Sequence, residues 1–141
     1  MKKLESTITL KQVTAKDHEF LFHLLSERQS YENISHKKMP SFAQHSKFIL
    51  SKPYSKWYII LKQNRKIGSI YLSKQNEIGL FLKKVEWDDI IGEKALKLVI
   101  DKNPKQRYLA NINPKNKKML NFYKKNCFKL IQHTYELNLK E

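Results

Sequence analysis

The chain has 141 residues, 40% of them hydrophobic and 29% charged, with a formal net charge of +15. That length is one domain able to bury a core, and that apolar share excludes a disordered chain. No apolar run approaches the roughly 20 residues of a membrane span, Met1-Lys-Lys-Leu-Glu-Ser6 lacks a signal peptide's apolar stretch, and a lone Cys127 excludes an internal disulfide. A single domain over residues 1–141, cytoplasmic and without a metal, is the expectation. The charge invites phosphate neutralisation. Yet only three of the 28 basic residues are Arg (Arg28, Arg65, Arg107), and Arg carries the fork that reads phosphate and base edges. The excess is spread, +3 over residues 1–50, +5 over 51–100 and +7 over 101–141, with no basic tail. Nucleic acid is disfavoured as a partner, and solvated faces are the plain reading of the lysines.

Thr7 to Val13 alternates apolar and polar residues as a strand does. Thr14-Ala-Lys-Asp17 has capping-box form and opens a helix with an apolar stripe of Phe20, Leu21, Leu24 and Leu25. Residues 29–40 are polar and read as a loop. A second capping box, Ser41-Phe-Ala-Gln44, opens a helix whose face carries Phe42, His45, Phe48 and Ile49, and Pro53 ends that region. Three strand-like runs follow, Trp57–Leu61, Ile67–Leu72 and Glu77–Leu82. The short polar linkers Lys62–Lys66 and Ser73–Asn76 make them an antiparallel meander. Gly92 to Ile100 is amphipathic through Ala95, Leu96 and Val99, and Asn103-Pro104 closes it. Tyr108–Ile112 reads as a strand feeding a helix over Asn116–Lys125, for which Asn113 is a cap and Pro114 a first-turn residue. Asn116 and Tyr123, seven residues apart, then share a face. The last element is a strand from Leu130 to Leu139, with Ile131, His133, Tyr135, Leu137 and Leu139 on one side. The order β α α β β β α β α β is an α+β domain, with a mixed, mainly antiparallel sheet of six to seven strands flanked by four helices. Ligands favour the place where such a sheet turns from antiparallel to parallel.

Lys66-Ile-Gly-Ser-Ile-Tyr-Leu72, Asn76-Glu-Ile-Gly-Leu80, the Gly92 helix, Asn113-Pro-Lys-Asn116 and Phe122-Tyr-Lys-Lys-Asn-Cys-Phe128 together resemble the GNAT superfamily of acyl-CoA-dependent N-acetyltransferases. The resemblance covers nearly the whole chain. It implies acetyl transfer from acetyl-CoA to a small-molecule amine by a monomer or homodimer with no membrane partner. It implies that the strand amides of Ile78, Gly79, Leu80, Phe81 and Leu82 hold the pantetheine arm. The turn Ile90-Ile91-Gly92-Glu93-Lys94 would take the pyrophosphate, because a helix start offers free N–H groups and positive charge. Asn113 and Asn116 would bind the arm, Tyr123 would protonate the departing thiolate, and Glu77 would be the base, directly or through water. Ser41-Phe-Ala-Gln-His45-Ser-Lys-Phe48, with Trp57-Tyr58 beyond it, is similar to a subgroup that acetylates amino-sugar nucleotides, itself similar to the ribosomal-protein acetyltransferases. His45 and Trp57 are accordingly the expected substrate contacts.

Each of these residues also has a plainer reading. Tyr123 fits a core position beside Met119, Asn116 a helix-start residue, Glu77 an exposed strand-end carboxylate and His45 a packing residue. Cys127 stands where the family has Gly, beside Asn126, which tolerates the left-handed backbone; a buried, inert thiol is expected there. In Trp87-Asp-Asp-Ile-Ile-Gly92 the family's polar position is Trp87 and one of its Gly positions is Ile90. Ile90 hinders close approach, and Asp88 and Asp89 repel an anion if they point inward, although Lys83, Lys84 and Lys94 can compensate. A second reading follows: a non-catalytic module of the same fold, its cofactor loop decayed, that binds RNA or another polyanion.

Overall fold

A computed structural model describes residues 7–28 and 39–140; of the expected loop 29–40, residues 29–38 lie outside the described residues. Four strands, β1 (Ile8–Gln12), β2 (Lys56–Lys62), β3 (Arg65–Leu72) and β4 (Ile78–Leu82), form an antiparallel sheet in sequence order. Gln63 (φ 51) and Asn64 (φ 65) both adopt the left-handed backbone, the twist that a two-residue hairpin needs to join β2 to β3. Four helices accompany the sheet: α1 (His18–Ser26), α2 (Phe42–Leu50), α3 (Asp89–Lys102) and α4 (Lys117–Lys125). Among the described residues no helix is long and apolar enough to cross a membrane.

Strand alternation divides the core. On one face Ile59 meets Leu21 of α1 and Ile49 of α2. On the other, Tyr58, Ile60, Ile67, Ile70, Ile78 and Leu80 pack against Ile91, Ala95, Leu96 and Val99 of α3 and Phe122 of α4. Both capping boxes form, Ser41–Gln44 at α2 and Thr14–Asp17 at a single 3-10 turn ahead of α1. Asp17 is wholly buried. It accepts from Thr14 N at 2.8 Å and pairs with Lys11 at 2.6 Å and Lys66 at 2.7 Å, which ties the turn to β1 and β3.

Several expectations need correction. Among the described residues the sheet has four strands, not six to seven. Tyr108–Ile112 is reduced to one parallel bridge between Glu77 and Leu109. Among the described residues Leu130–Leu139 joins no ladder, and its side chains are exposed, Tyr135 to 90% and Leu137 to 84%. Alternation marks a segment fit to be a strand and does not tell whether a partner edge is within its reach. Helix α3 starts at Asp89, three residues before Gly92, because Asp88 caps it. Helix α4 is capped by Asn116, which accepts from Met119 N at 3.3 Å, while Asn113 accepts from Lys115 N in the preceding turn. Cys127 is exposed rather than buried. It takes the left-handed backbone itself (φ 70), and Phe128 N then donates to Tyr123 O at 3.0 Å to close the helix.

Candidate functional site

The site grows from the free edge of β4. Ser73 N donates to Glu77 O and Lys83 N to Ile67 O, both at 2.8 Å, so odd-numbered residues bond to the β3 side. Amides alternate along a strand, so those of Ile78, Leu80 and Leu82 face the other way. Ile78 N reaches Leu109 O at 2.7 Å, and Leu109 N reaches Asn76 O at 2.9 Å. Beyond that bridge the two segments part, and among the described residues no backbone bond joins Leu80 or Leu82 to residues 108–112. Two strand N–H groups are left facing a gap.

That gap opens into a cavity of about 450 Å³. Ile78, Gly79, Leu80 and Phe81 form its β4 wall, Asn113, Asn116 and Tyr123 its α4 wall, and His45 and Trp57 line it from α2 and β2. Gly79 is needed because a Cβ there would come within 2.2 Å of the Tyr71 ring. Tyr71 stacks on Tyr54, centroids 3.8 Å apart and 2° from parallel, and burial raises the pKa of both phenols. Tyr123 is 4% exposed and sits edge-on to Phe122 at 5.2 Å and Phe128 at 5.0 Å. Burial pushes its phenol far above the ordinary range, and neighbouring Tyr71 adds to the rise. A neutral, protonated hydroxyl therefore stands at the cavity at working pH. Asn116 is buried and serves both as the α4 cap and as cavity wall. His45 stacks on Phe48 with centroids 6.4 Å apart. The Trp57 indole N–H is buried and finds no acceptor among the described residues.

Other expected residues stand apart. Glu77 does not line the cavity. Its carboxylate accepts from Ser73 Oγ at 3.0 Å and from Asn111 Nδ2 at 2.6 Å, and it is Asn111 that reaches the wall. At the start of α3 the amides of Ile90 and Ile91 already donate to Asp88 Oδ1, at 2.7 and 3.4 Å, and Gly92 N donates to Asp88 O at 2.9 Å. Gly92 is required by packing, since a Cβ would come within 2.9 Å of Phe122. Glu93 and Lys94 lie on α3, outside the cavity lining. Asp89 pairs with Lys125 at 3.2 Å, so one of the two acidic residues is neutralised. Sequence reasoning missed Gln44, Tyr54, Tyr71, Asn111 and Arg28, which also line the cavity. Arg28 lies 4.0 Å over the Phe81 ring. These residues come from loop, helix-end and strand positions with no shared spacing, so no local signal marks them.

Neither a protein-family model nor a curated protein matches the sequence. Solved structures do match the fold. A domain from Methanocaldococcus jannaschii superposes with a TM-score of 0.77 at 23% identity, over 94% of each chain. The ribosomal-protein α-N-acetyltransferase RimL, solved with coenzyme A, gives 0.70 at 18% identity over 92% of this chain and 84% of its own. FdhC, described as a nucleotide-linked sugar GNAT, gives 0.67 at 18% identity over 94% and 84%. The fold is that of the GNAT acetyltransferases.

Proposed function

We propose that this domain transfers an acetyl group from acetyl-CoA to the primary amine of a small molecule. The observation that carries the reading is the open β4 edge running into a cavity that holds a protonated Tyr123. A pantetheine arm carries peptide-like amides and pairs with unpaired strand groups as an added strand does. The Leu80 and Leu82 amides hold the arm, Asn113 and Asn116 flank it, and the thioester enters the cavity. The amine nitrogen attacks the thioester carbonyl, the C–S bond breaks, and Tyr123 gives its proton to the departing thiolate. Glu77, fixed by Ser73 and Asn111, receives the amine proton through a water. Trp57 and His45 contact the acceptor. Arg28 at the wall supports an acceptor that carries an anionic group, and amino-sugar nucleotides, named for FdhC, are the first to try. A cytoplasmic location belongs to the same proposal. Isothermal titration with acetyl-CoA and a thiol-release assay over a panel of amines test it; no binding at millimolar acetyl-CoA removes it.

The Asp88 cap favours a second reading, since it occupies amides that a pyrophosphate would use. On that reading the domain is a non-catalytic module that uses its +15 charge to hold RNA or another polyanion. Steeply salt-dependent RNA binding without coenzyme A affinity would establish it.

A further inference from the structure

In the proposed reaction Glu77 receives the amine proton, yet Glu77 does not line the cavity. Its carboxylate is held by Ser73 and Asn111, so a group on the cavity wall has to stand between it and the acceptor amine. Tyr71 stands there. It pairs with Gly79 across β3 and β4, and directly opposed residues share a face of the sheet. Because Gly79 has no side chain, the Tyr71 ring lies across β4: a Cβ at Gly79 would meet the ring at 2.2 Å and the phenol oxygen at 2.6 Å. Glu77 is two residues before Gly79, and alternation puts it on that same face. The phenol oxygen is thus brought to the β4 wall of the cavity, on the side of the sheet that carries Glu77. Electrostatics give the same neighbours. Burial raises the Tyr71 pKa, Arg28 and Tyr54 oppose that rise, and the charge of Glu77 adds to it. Tyr71 in turn adds to the effect of burial on Tyr123. One phenol is therefore within electrostatic reach of both the base outside the cavity and the acid at its wall.

We propose that Tyr71 is the proton carrier between the acceptor amine and Glu77. The proposal rests on the acetyl-transfer reading and names a further catalytic residue for it. As the new N–C bond forms, the amine nitrogen gives its proton to a lone pair of Tyr71 Oη. The Tyr71 O–H meanwhile passes its own proton through a water to the Glu77 carboxylate. The phenol ends neutral, as it began, and Glu77 ends protonated. A hydroxyl suits this task because it donates and accepts at one atom. A phenol held above its ordinary range does so without becoming a phenolate. Asn111, which also joins the wall to Glu77, cannot act in this way, since an amide has no proton to exchange near neutral pH. The stack on Tyr54, with centroids 3.8 Å apart, fixes the ring of Tyr71 in place.

Steady-state kinetics of Tyr71→Phe, Glu77→Gln and the double variant test this, with calorimetric titration of acetyl-CoA on each. Phenylalanine keeps the ring over Gly79 and on Tyr54, so the fold is not burdened. Each single variant should lower kcat by roughly 100-fold, the order that acid–base catalysis contributes, with acetyl-CoA affinity unchanged. The double variant should lose about the same 100-fold rather than the product of the two losses, because members of one relay fail together. A residue that only packs would not show that saturation. Losses that multiply overturn the relay and leave acetyl transfer standing. So does either single variant that is as active as the wild type, and so does a loss that appears in acetyl-CoA affinity instead of kcat. A wild type that transfers acetyl to none of the amine panel removes acetyl transfer and the relay together.

Discussion

The sharpest consequence of the self-capped helix concerns Asp88→Gly. The carboxylate accepts from Ile90 N and Ile91 N, the two amides an incoming pyrophosphate would use. A glycine cap costs only a few tenths of a kcal/mol against Asp, and losing a negative charge at a helix start costs up to about 1 kcal/mol. The melting temperature should therefore fall by only about 3 °C. Against that, the variant frees two donors and removes a repulsion. A carboxylate about 5 Å from a doubly charged pyrophosphate, at an effective dielectric near that of water, opposes binding by about 2 kcal/mol. Coenzyme A should then bind roughly 30-fold more tightly at low salt, and the gain should shrink as ionic strength rises. Calorimetric titration with coenzyme A, and with pantetheine as a control lacking the pyrophosphate, measures it. Pantetheine affinity should stay constant. Unchanged or weaker coenzyme A binding would refute the assignment of α3 to the pyrophosphate, as would an equal gain for pantetheine.

Three further outcomes are open to measurement. Tyr123→Phe should lower kcat by roughly one to three orders of magnitude with little change in acetyl-CoA affinity or melting temperature, because the ring packing on Phe122 and Phe128 is kept and only a transition-state proton is lost. Asp17, held at about 2 by Lys11, Lys66 and the Thr14 amide against the upward push of its burial, stabilises the fold by about 2 kcal/mol above its unfolded value of 3.8. That contribution is complete above about pH 5 and is lost as pH falls through 2, so Asp17→Asn should cost about 2 kcal/mol in urea melts at pH 7 and progressively less toward pH 2. Cys127→Gly should raise stability by about 1 kcal/mol, since Cys127 holds a left-handed backbone that glycine adopts without strain; an unchanged midpoint would mean the residue carries no such strain.

The elements whose signals are local were legible in the sequence. Capping boxes at Thr14 and Ser41, polar hairpin linkers and the apolar faces of the helices depend on neighbours within a few residues, and the structure has them. Pairing was less legible, because it depends on a second segment: Leu130–Leu139 has the alternation of a strand and, among the described residues, no ladder. The cavity divides the same way. Asn116 and Tyr123 share a wall because seven residues of helix put them there, and Ile78 to Phe81 line it because they share a strand. Glu77 was placed by its strand position, yet which way its carboxylate turns is decided by Ser73 and Asn111. The acidic pair at Asp88 and Asp89 was visible as a hazard to anion binding. That one caps α3 and the other pairs with Lys125, 36 residues away, is a fact of the folded chain.

The parted edge of β4 also bears on how such a domain can drift. Peptide N–H groups are supplied by every residue except proline, so a ligand gripped through Leu80 and Leu82 is indifferent to which side chains those positions carry. What must persist is the divergence of two segments after a single bridge, a matter of geometry that many sequences can encode. Descendants can therefore exchange nearly all their residues along this edge without losing its grip. A chain that superposes on another at a TM-score of 0.77 with only 23% identity shows how far residues can change while the course of the backbone persists.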